Sequence, residues 1–350
     1  MHLPLILVVA STLGAARAAS EANQVWLGVK DGRERLHSGI YRAAGRTKSG
    51  GEANVDDLNG EVTIFCAFDD SAGMLRFDRV CPVRWLPGAP GPKDSPSKEQ
   101  VAKFEVRYIG APSQSMTWTS LGMGVVVSPP GKRSADESQA LPFDVRQLGL
   151  ITTIHSSQPH SFDELWRSWS ERPIQQVARE ADGIVRLTWG DRGDDAEWRV
   201  RRWIDTAHGY TIIRSEHEER AIQAAGAAEW PAPHLIAEVS WVQVSAVWVP
   251  TAFVLHRQSR TDELSFDWES VNEDIPNGLF TAKGLGVDPW TLVTDVRLGK
   301  PIIVGHVEEP PLPPPSPSKG RAAWFYPVIV VNVVVLALIA MVMLWRRLAR

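Results

Sequence analysis

The chain has 350 residues, a net charge of −4 and a pI near 6.2, so it lacks the basic excess that marks a nucleic-acid binder. Its apolar share, 44%, is that of a globular protein, but 15 tryptophans are many. Tryptophan is large and carries one N–H to satisfy, which suits half-buried sheet faces and binding surfaces.

The N-terminus reads as a secretion signal over residues 1–18. Leu3 to Leu13 is a short apolar run, and Ala16 and Ala18 supply small residues before a cut after Ala18. The run is shorter than the roughly 20 residues a membrane span needs. No Lys or Arg precedes it, which departs from the usual pattern. Beyond it, Ser20 can cap a helix whose apolar stripe is Val25, Trp26, Val29 and Leu36, with Arg33 at the same spacing.

Strand signals then dominate residues 19–306. Glu61–Phe68 and Met74–Val80 flank Asp69-Asp-Ser-Ala-Gly73 and predict a hairpin. Two registers are open. If Phe68 pairs with Leu75, Cys66 faces Phe77 and the Cys66 and Cys81 sulfurs stand too far apart to bond. A tight turn at Gly73-Met74 would instead align Cys66 with Cys81 as a candidate disulfide of an oxidising compartment.

Ser161-Phe-Asp-Glu164 reads as a capping box opening a short helix with Phe162, Leu165, Trp166 and Trp169 on one side, ended by Pro173. Strands are expected near 174–180, 183–190, 197–205 and 210–219, in the even spacing of an antiparallel sheet. A two-residue turn at Ser245-Ala246 pairs Val244 with Val247 and Val242 with Val249. The four valines then share one face. Phe253 and Leu255 can meet Leu264, Phe266 and Trp268 on that face, while Ser265, Asp267 and Glu269 point the other way. These nine apolar residues are the candidate lining of a ligand groove. Stretches 82–100, 128–141 and 220–234 are Pro-, Ala- or charge-rich loops.

The C-terminal end predicts a membrane anchor. A linker over 307–323 holds Pro310, Pro311, Pro313, Pro314, Pro315 and Pro317; at about 3.1 Å per residue its central 13 residues reach roughly 40 Å. Residues 324–345 follow as the transmembrane helix. Val328–Trp345 contains one polar side chain, Asn332, and is long enough for a ~30 Å hydrocarbon core. Arg346, Arg347 and Arg350 form a basic cytoplasmic tail over 346–350, which puts the bulk of the chain outside. The expectation is a single-pass, type I protein of the bacterial inner membrane facing the periplasm.

Catalytic signals are weak. His155 and His160 lack the companions a metal needs. Glu216-His-Glu-Glu219 reads as a solvated strand edge, and Asp191, Asp194 and Asp195 as a polar hairpin turn without EF-hand spacing. The Gly-x-Ser-x-Gly elbow is missing, and Gly131-Lys-Arg-Ser134 lacks the upstream glycine of a phosphate loop. A non-catalytic domain without cofactor or metal is expected.

Ile40-Tyr-Arg-Ala-Ala-Gly45, Phe68-Asp69 leading to Leu75–Asp78, Trp203-Ile-Asp205 with Gly209-Tyr210, the hairpin ending Val247-Trp-Val-Pro250, and Phe266–Asn272 with Leu279-Phe280 resemble lipoprotein-localisation-factor (LolA/LolB-like) domains over about residues 21–306. That resemblance implies a mainly β (α+β) fold: a curved, unclosed antiparallel half-barrel wrapped around a few helices, with a groove for lipoprotein acyl chains. The departures are the anchor, which forbids shuttling, and the lack of a cysteine near Ala18 for N-terminal lipidation. The expected partner is a hydrophobic ligand (lipid, acyl chain or lipoprotein). The alternative is a structural or protein-binding ectodomain of an envelope assembly whose core is filled.

Overall fold

The structure is a computed structural model. It describes residues 3–307 apart from 50–59, 86–99, 121, 123, 131–142, 152–161, 194, 223–228 and 259. The expected anchor, its linker beyond Val307 and basic tail, His155 and His160, Asp194 and most of the three long loops lie outside the described residues.

Helix α1 spans Leu3–Glu34. Strands β1 (Ser38–Ser49), β2 (Gly60–Asp69), β3 (Met74–Trp85), β4 (Gln100–Ala111), β5 (Gln114–Thr119) and β6 (Gly124–Ser128) follow. After helix α2 (Phe162–Ser170) come β7 (Ile174–Arg179), β8 (Ile184–Arg192), β9 (Ala196–Asp205), β10 (Thr211–Ala221), β11 (Leu235–Val244), β12 (Val247–Arg257) and β13 (Arg260–Val271). Strands β14 (Leu292–Asp295) and β15 (Ile302–His306) finish the described chain.

The fifteen strands among the described residues form one curved, unclosed sheet in the order β15-β14-β6-β5-β4-β3-β2-β1-β13-β12-β11-β10-β9-β8-β7. The first six strands meander away from β1, and β7 to β13 meander back to it. The β1–β13 seam joins the two runs from Gly39↔Val271 to Ser49↔Arg260. Gly45 permits this seam: a Cβ there would stand 1.8 Å from the Glu263 carbonyl oxygen. Every pair is antiparallel except β6 with β14. The predicted mainly β, unclosed antiparallel sheet is thus present. Strands β4, β5 and β6 occupy a stretch the spacing argument leaves unassigned.

Alternation sorts the side chains. On the inner face, Tyr41 and Ala43 of β1, Val62, Ile64 and Cys66 of β2, and Phe253, Leu255, Leu264 and Phe266 close over Leu36, Phe143, Val145 and Leu148. A second core lies between the helices and β8–β10, where Val25, Trp26, Val29, Phe162, Trp166 and Trp169 meet Leu187, Trp189, Val200 and Ile204. The helical stripe read from the sequence is therefore the buried one, and Arg33, 4% exposed, is buried with it. Arg33 stacks 3.8 Å from the Trp241 ring centroid, and burial lowers its pKa to about 9. A third core covers part of the outer face, where Ala67, Ile109 and Met116 pack on Ile275, Phe280 and Leu285.

The hairpin register is Phe68↔Leu75 with Cys66↔Phe77, the alternative that separates the sulfurs. Both thiols are free and buried, and burial pushes both pKa values up. The turn at Ser245-Ala246 forms with φ of 48° and 64°, the geometry of a type I′ hairpin.

One reading is overturned. Glu216-His-Glu-Glu219 is not a solvated edge: Glu216, His217 and Glu218 are all buried. Strand β10 is interior to the sheet, so its neighbours β9 and β11 cover both flanks. Glu216 and Glu218 pair with Arg201 at 2.7 and 2.5 Å. His217 turns to the opposite face, 6.4 Å from the Trp169 ring. Burial, with the nearby Arg202 and His234, depresses its pKa to about 3. The native state therefore keeps this imidazole neutral while an unfolded chain protonates it below about 6.5. Stability is full above that pH and falls as pH drops toward 3, because the unfolded state binds the extra proton. Wild type should lose stability relative to His217→Gln by about 1.4 kcal/mol per pH unit between roughly pH 6 and 4. Urea melts at stepped pH measure this, and parallel slopes for the two proteins would refute it.

Candidate functional site

The outer face of β3, β2, β1 and β13 carries two adjacent cross-strand rows. In the first, Val80 pairs with Thr63, Thr63 with Ala44, and Ala44 with Ser265. The row continues to Ala252 on β12. In the second, Asp78 pairs with Phe65, Phe65 with Arg42, and Arg42 with Asp267. On the other side of the small row stand Glu61, Arg46 and Glu263, again in register. A line of short side chains between two lines of long ones makes a trough across the strands. Its volume is about 540 Å³, and its lining is Arg42, Ala44, Thr63, Phe65, Asp78, Val80, Ser265 and Asp267, with Ala43, Ile64 and Phe266 beneath. At about 4.8 Å per strand, four strands make it roughly 14 Å long from axis to axis.

The floor is apolar or small, and charged side chains stand along both walls. Phe65 lies between two guanidinium groups, with Arg76 4.8 Å and Arg42 5.1 Å from its ring centroid. Arg76 bonds Asp78 at 2.5 Å. Arg42 bonds Glu269 at 2.5 Å and not its register partner Asp267. Asp267 is left without an ion pair among the described residues. Oδ1 of Asp78 is buried and accepts no hydrogen bond. Burial raises the Asp78 pKa, and the Arg76 hydrogen bond and charge oppose that rise.

Eight of the nine residues proposed from the sequence lie elsewhere. Val249, Phe253 and Leu255 are fully buried, and Val247, Leu264 and Phe266 nearly so, all in the inner core. Val244 and Trp268 are partly buried against that core, with Trp268 Nε1 donating to the Pro250 carbonyl at 2.9 Å. Val242 is 42% exposed although it pairs with buried Val249, so the four valines do not share one buried face. Of the nine, Phe266 alone borders the trough. The sequence signal for the trough is the set of small outward residues Ala44, Thr63 and Ser265. They stand at unrelated positions along the chain, and only the register brings them into one row. The described residues hold no cluster of three or more metal-ligating side chains. No described helix is long and apolar enough to cross a membrane.

No protein-family model matches the chain, and a search of curated proteins finds no relative. Two solved structures are similar in outline. A DUF1329 family protein from Desulfovibrio piger aligns with a TM-score of 0.41 at 10% identity, over 77% of this chain and 99% of its own. LprF from Mycobacterium bovis aligns with a TM-score of 0.28 at 12% identity, over 74% of this chain and 98% of its own. Neither overlap is close enough to assign a family.

Proposed function

We propose that the chain is a non-catalytic, membrane-tethered extracytoplasmic domain that holds an aliphatic ligand in the trough across β3, β2, β1 and β13. The observation that carries this reading is the trough itself. Its volume, about 540 Å³, lies within the ~300–1,000 Å³ of small-ligand sites. Each methylene it buries would contribute about 0.8 kcal/mol, so a short aliphatic chain can be held without any catalytic group.

The tether is supported by the apolar stretch 328–345 and the arginines after it. Export is supported by the run at Leu3–Leu13 and the small residues before Ala18, and the buried residues of α1 from Ala22 onward lie beyond that cut. These two segments support an inner-membrane, periplasm-facing location. A lipid or a lipoprotein acyl chain, as in the lipoprotein-localisation domains, is the finer form of the proposal. A second reading, a protein-binding envelope ectodomain with a filled interior, is favoured by the closed inner core, where Val249, Phe253 and Leu255 have no exposed surface.

Ala44→Trp separates them. Ala44 is exposed on the trough floor, so the indole should fill the trough and leave stability within about 0.5 kcal/mol. Mass spectrometry of the purified full chain should then find an aliphatic molecule on wild type and little on the variant. Equal recovery from both proteins, or none from wild type, would reject ligand binding at this site.

A further inference from the structure

We infer that the β14–β15 hairpin is a lipid contact, laid edge-on against the headgroup layer of the membrane that anchors the chain. This rests on the anchored reading above and is independent of the ligand trough.

Eight large hydrophobic side chains are exposed among the described residues, and five of them fall between residues 290 and 303. They are Trp290, Leu292, Leu298, Ile302 and Ile303. Strand β15 pairs with β14 and ends the sheet, so all five belong to its rim. Leu298, 83% exposed, stands at the turn between the two strands. Ile302 and Ile303 are consecutive in β15, so they point to opposite faces of the sheet. Only a surface met edge-on can cover both. Trp290 lies at the other end of the hairpin, its ring 5.5 Å from that of His306. From Ile302 to His306 the rim runs about 13 Å, a strip that suits a planar partner.

The occupant is lipid and not a protein strand. Another chain would add to β15 by regular backbone pairing. The register skips Val304, between Val293↔Gly305 and Thr294↔Ile303, and Pro301 directly precedes the strand. A bulge and a proline blunt an edge against such pairing. Five side chains are also far fewer than the about 20–30 residues a side of a stable protein interface. The chain itself supplies the bilayer: residues 308–323 separate Val307 from the start of the expected span at Trp324. At about 3.1 Å per residue they reach at most roughly 50 Å, so the tether holds the rim at high effective concentration and a weak contact suffices. Tryptophan and aliphatic side chains favour the membrane interface, and exposed Lys300 at the turn suits lipid phosphates. The unpaired backbone groups of the outer β15 edge keep the contact shallow, where water remains.

The full chain is placed in phosphatidylcholine–phosphatidylglycerol nanodiscs that contain a lipid with a nitroxide near its headgroup. A fluorophore quenched by nitroxide is attached through Leu298→Cys or, in a second protein, through Ala207→Cys at the exposed β9–β10 turn. Cys66 and Cys81 are buried and do not compete for the label. Quenching at position 298 should be about threefold or more that at position 207. Ile302→Glu with Ile303→Glu, both at exposed positions, should cut it by about half with an unchanged circular dichroism spectrum. Equal quenching at the two positions, or no effect of the glutamate pair, would overturn the lipid contact while the anchored reading stands. A full chain that elutes apart from the nanodiscs would overturn both.

Discussion

Trp189→Ala should lose about 3–5 kcal/mol of stability, a large share of what holds a domain together. Trp189 is fully buried on β8. Its ring meets Trp26 edge-on at 4.9 Å and Trp169 at 5.9 Å, so one side chain links α1 and α2 to the sheet. Trp26 stacks in turn on Trp166 at 4.1 Å. The cavity left by an indole cannot be refilled by neighbours held in rotamers of their own, and the cost exceeds the transfer energy of the lost atoms. Denaturation followed by far-ultraviolet circular dichroism avoids the change in tryptophan signal. A loss under about 1 kcal/mol would show that the helices are not pinned to the sheet through this residue.

Arg202→Met should move stability the other way, upward by about 1–4 kcal/mol. Arg202 is fully buried on β9, with its guanidinium 3.7 Å from the Trp169 centroid, 4.9 Å from Trp189 and 5.6 Å from Trp26. Its Nε donates to the Gly149 carbonyl at 3.3 Å, a long bond, and both terminal nitrogens lack a hydrogen-bond partner. Burial, and the nearby Arg172, drive its pKa well below the ordinary arginine value. The stacked rings return part of the desolvation cost, about 2 kcal/mol at a desolvated site. Methionine keeps the length of the side chain and removes the charge and the unmet donors. A rise in the urea midpoint with unchanged slope is the expected result. A fall of more than about 1 kcal/mol would mean that the tryptophan cage holds the cation more strongly than water does.

The two variants are neighbours, so their effects will not add. Removing Trp189 in the Arg202→Met background should cost less than in wild type, because the indole no longer stacks on a cation.

The stripe Val25, Trp26, Val29 and Leu36 was legible because a helix repeats every 3.6 residues and buries one side. The β12–β13 faces were legible for the corresponding reason, period 2, and the Ser245-Ala246 turn because two strands separated by two residues leave it little choice. The burial of Glu216 and Glu218 was not legible. Their charges are balanced by arginines on β9, and whether β10 is an edge depends on where β7 to β9 attach. Nothing local distinguishes a rim strand from an interior one.

By itself, the amino-acid order determined which residues turn inward on each strand and helix, since alternation and helical period are properties of a short stretch of backbone. Tertiary structure alone decided that, among the described residues, the inner apolar face is closely packed and a trough opens on the outer face. Ala44, Thr63, Val80 and Ser265 come from four strands, β1, β2, β3 and β13, and they form one row only through the pairing of β1 with both β2 and β13. The β1–β13 pairing joins residues more than 200 positions apart, and a one-residue slip in it would turn the whole strand over and erase the trough.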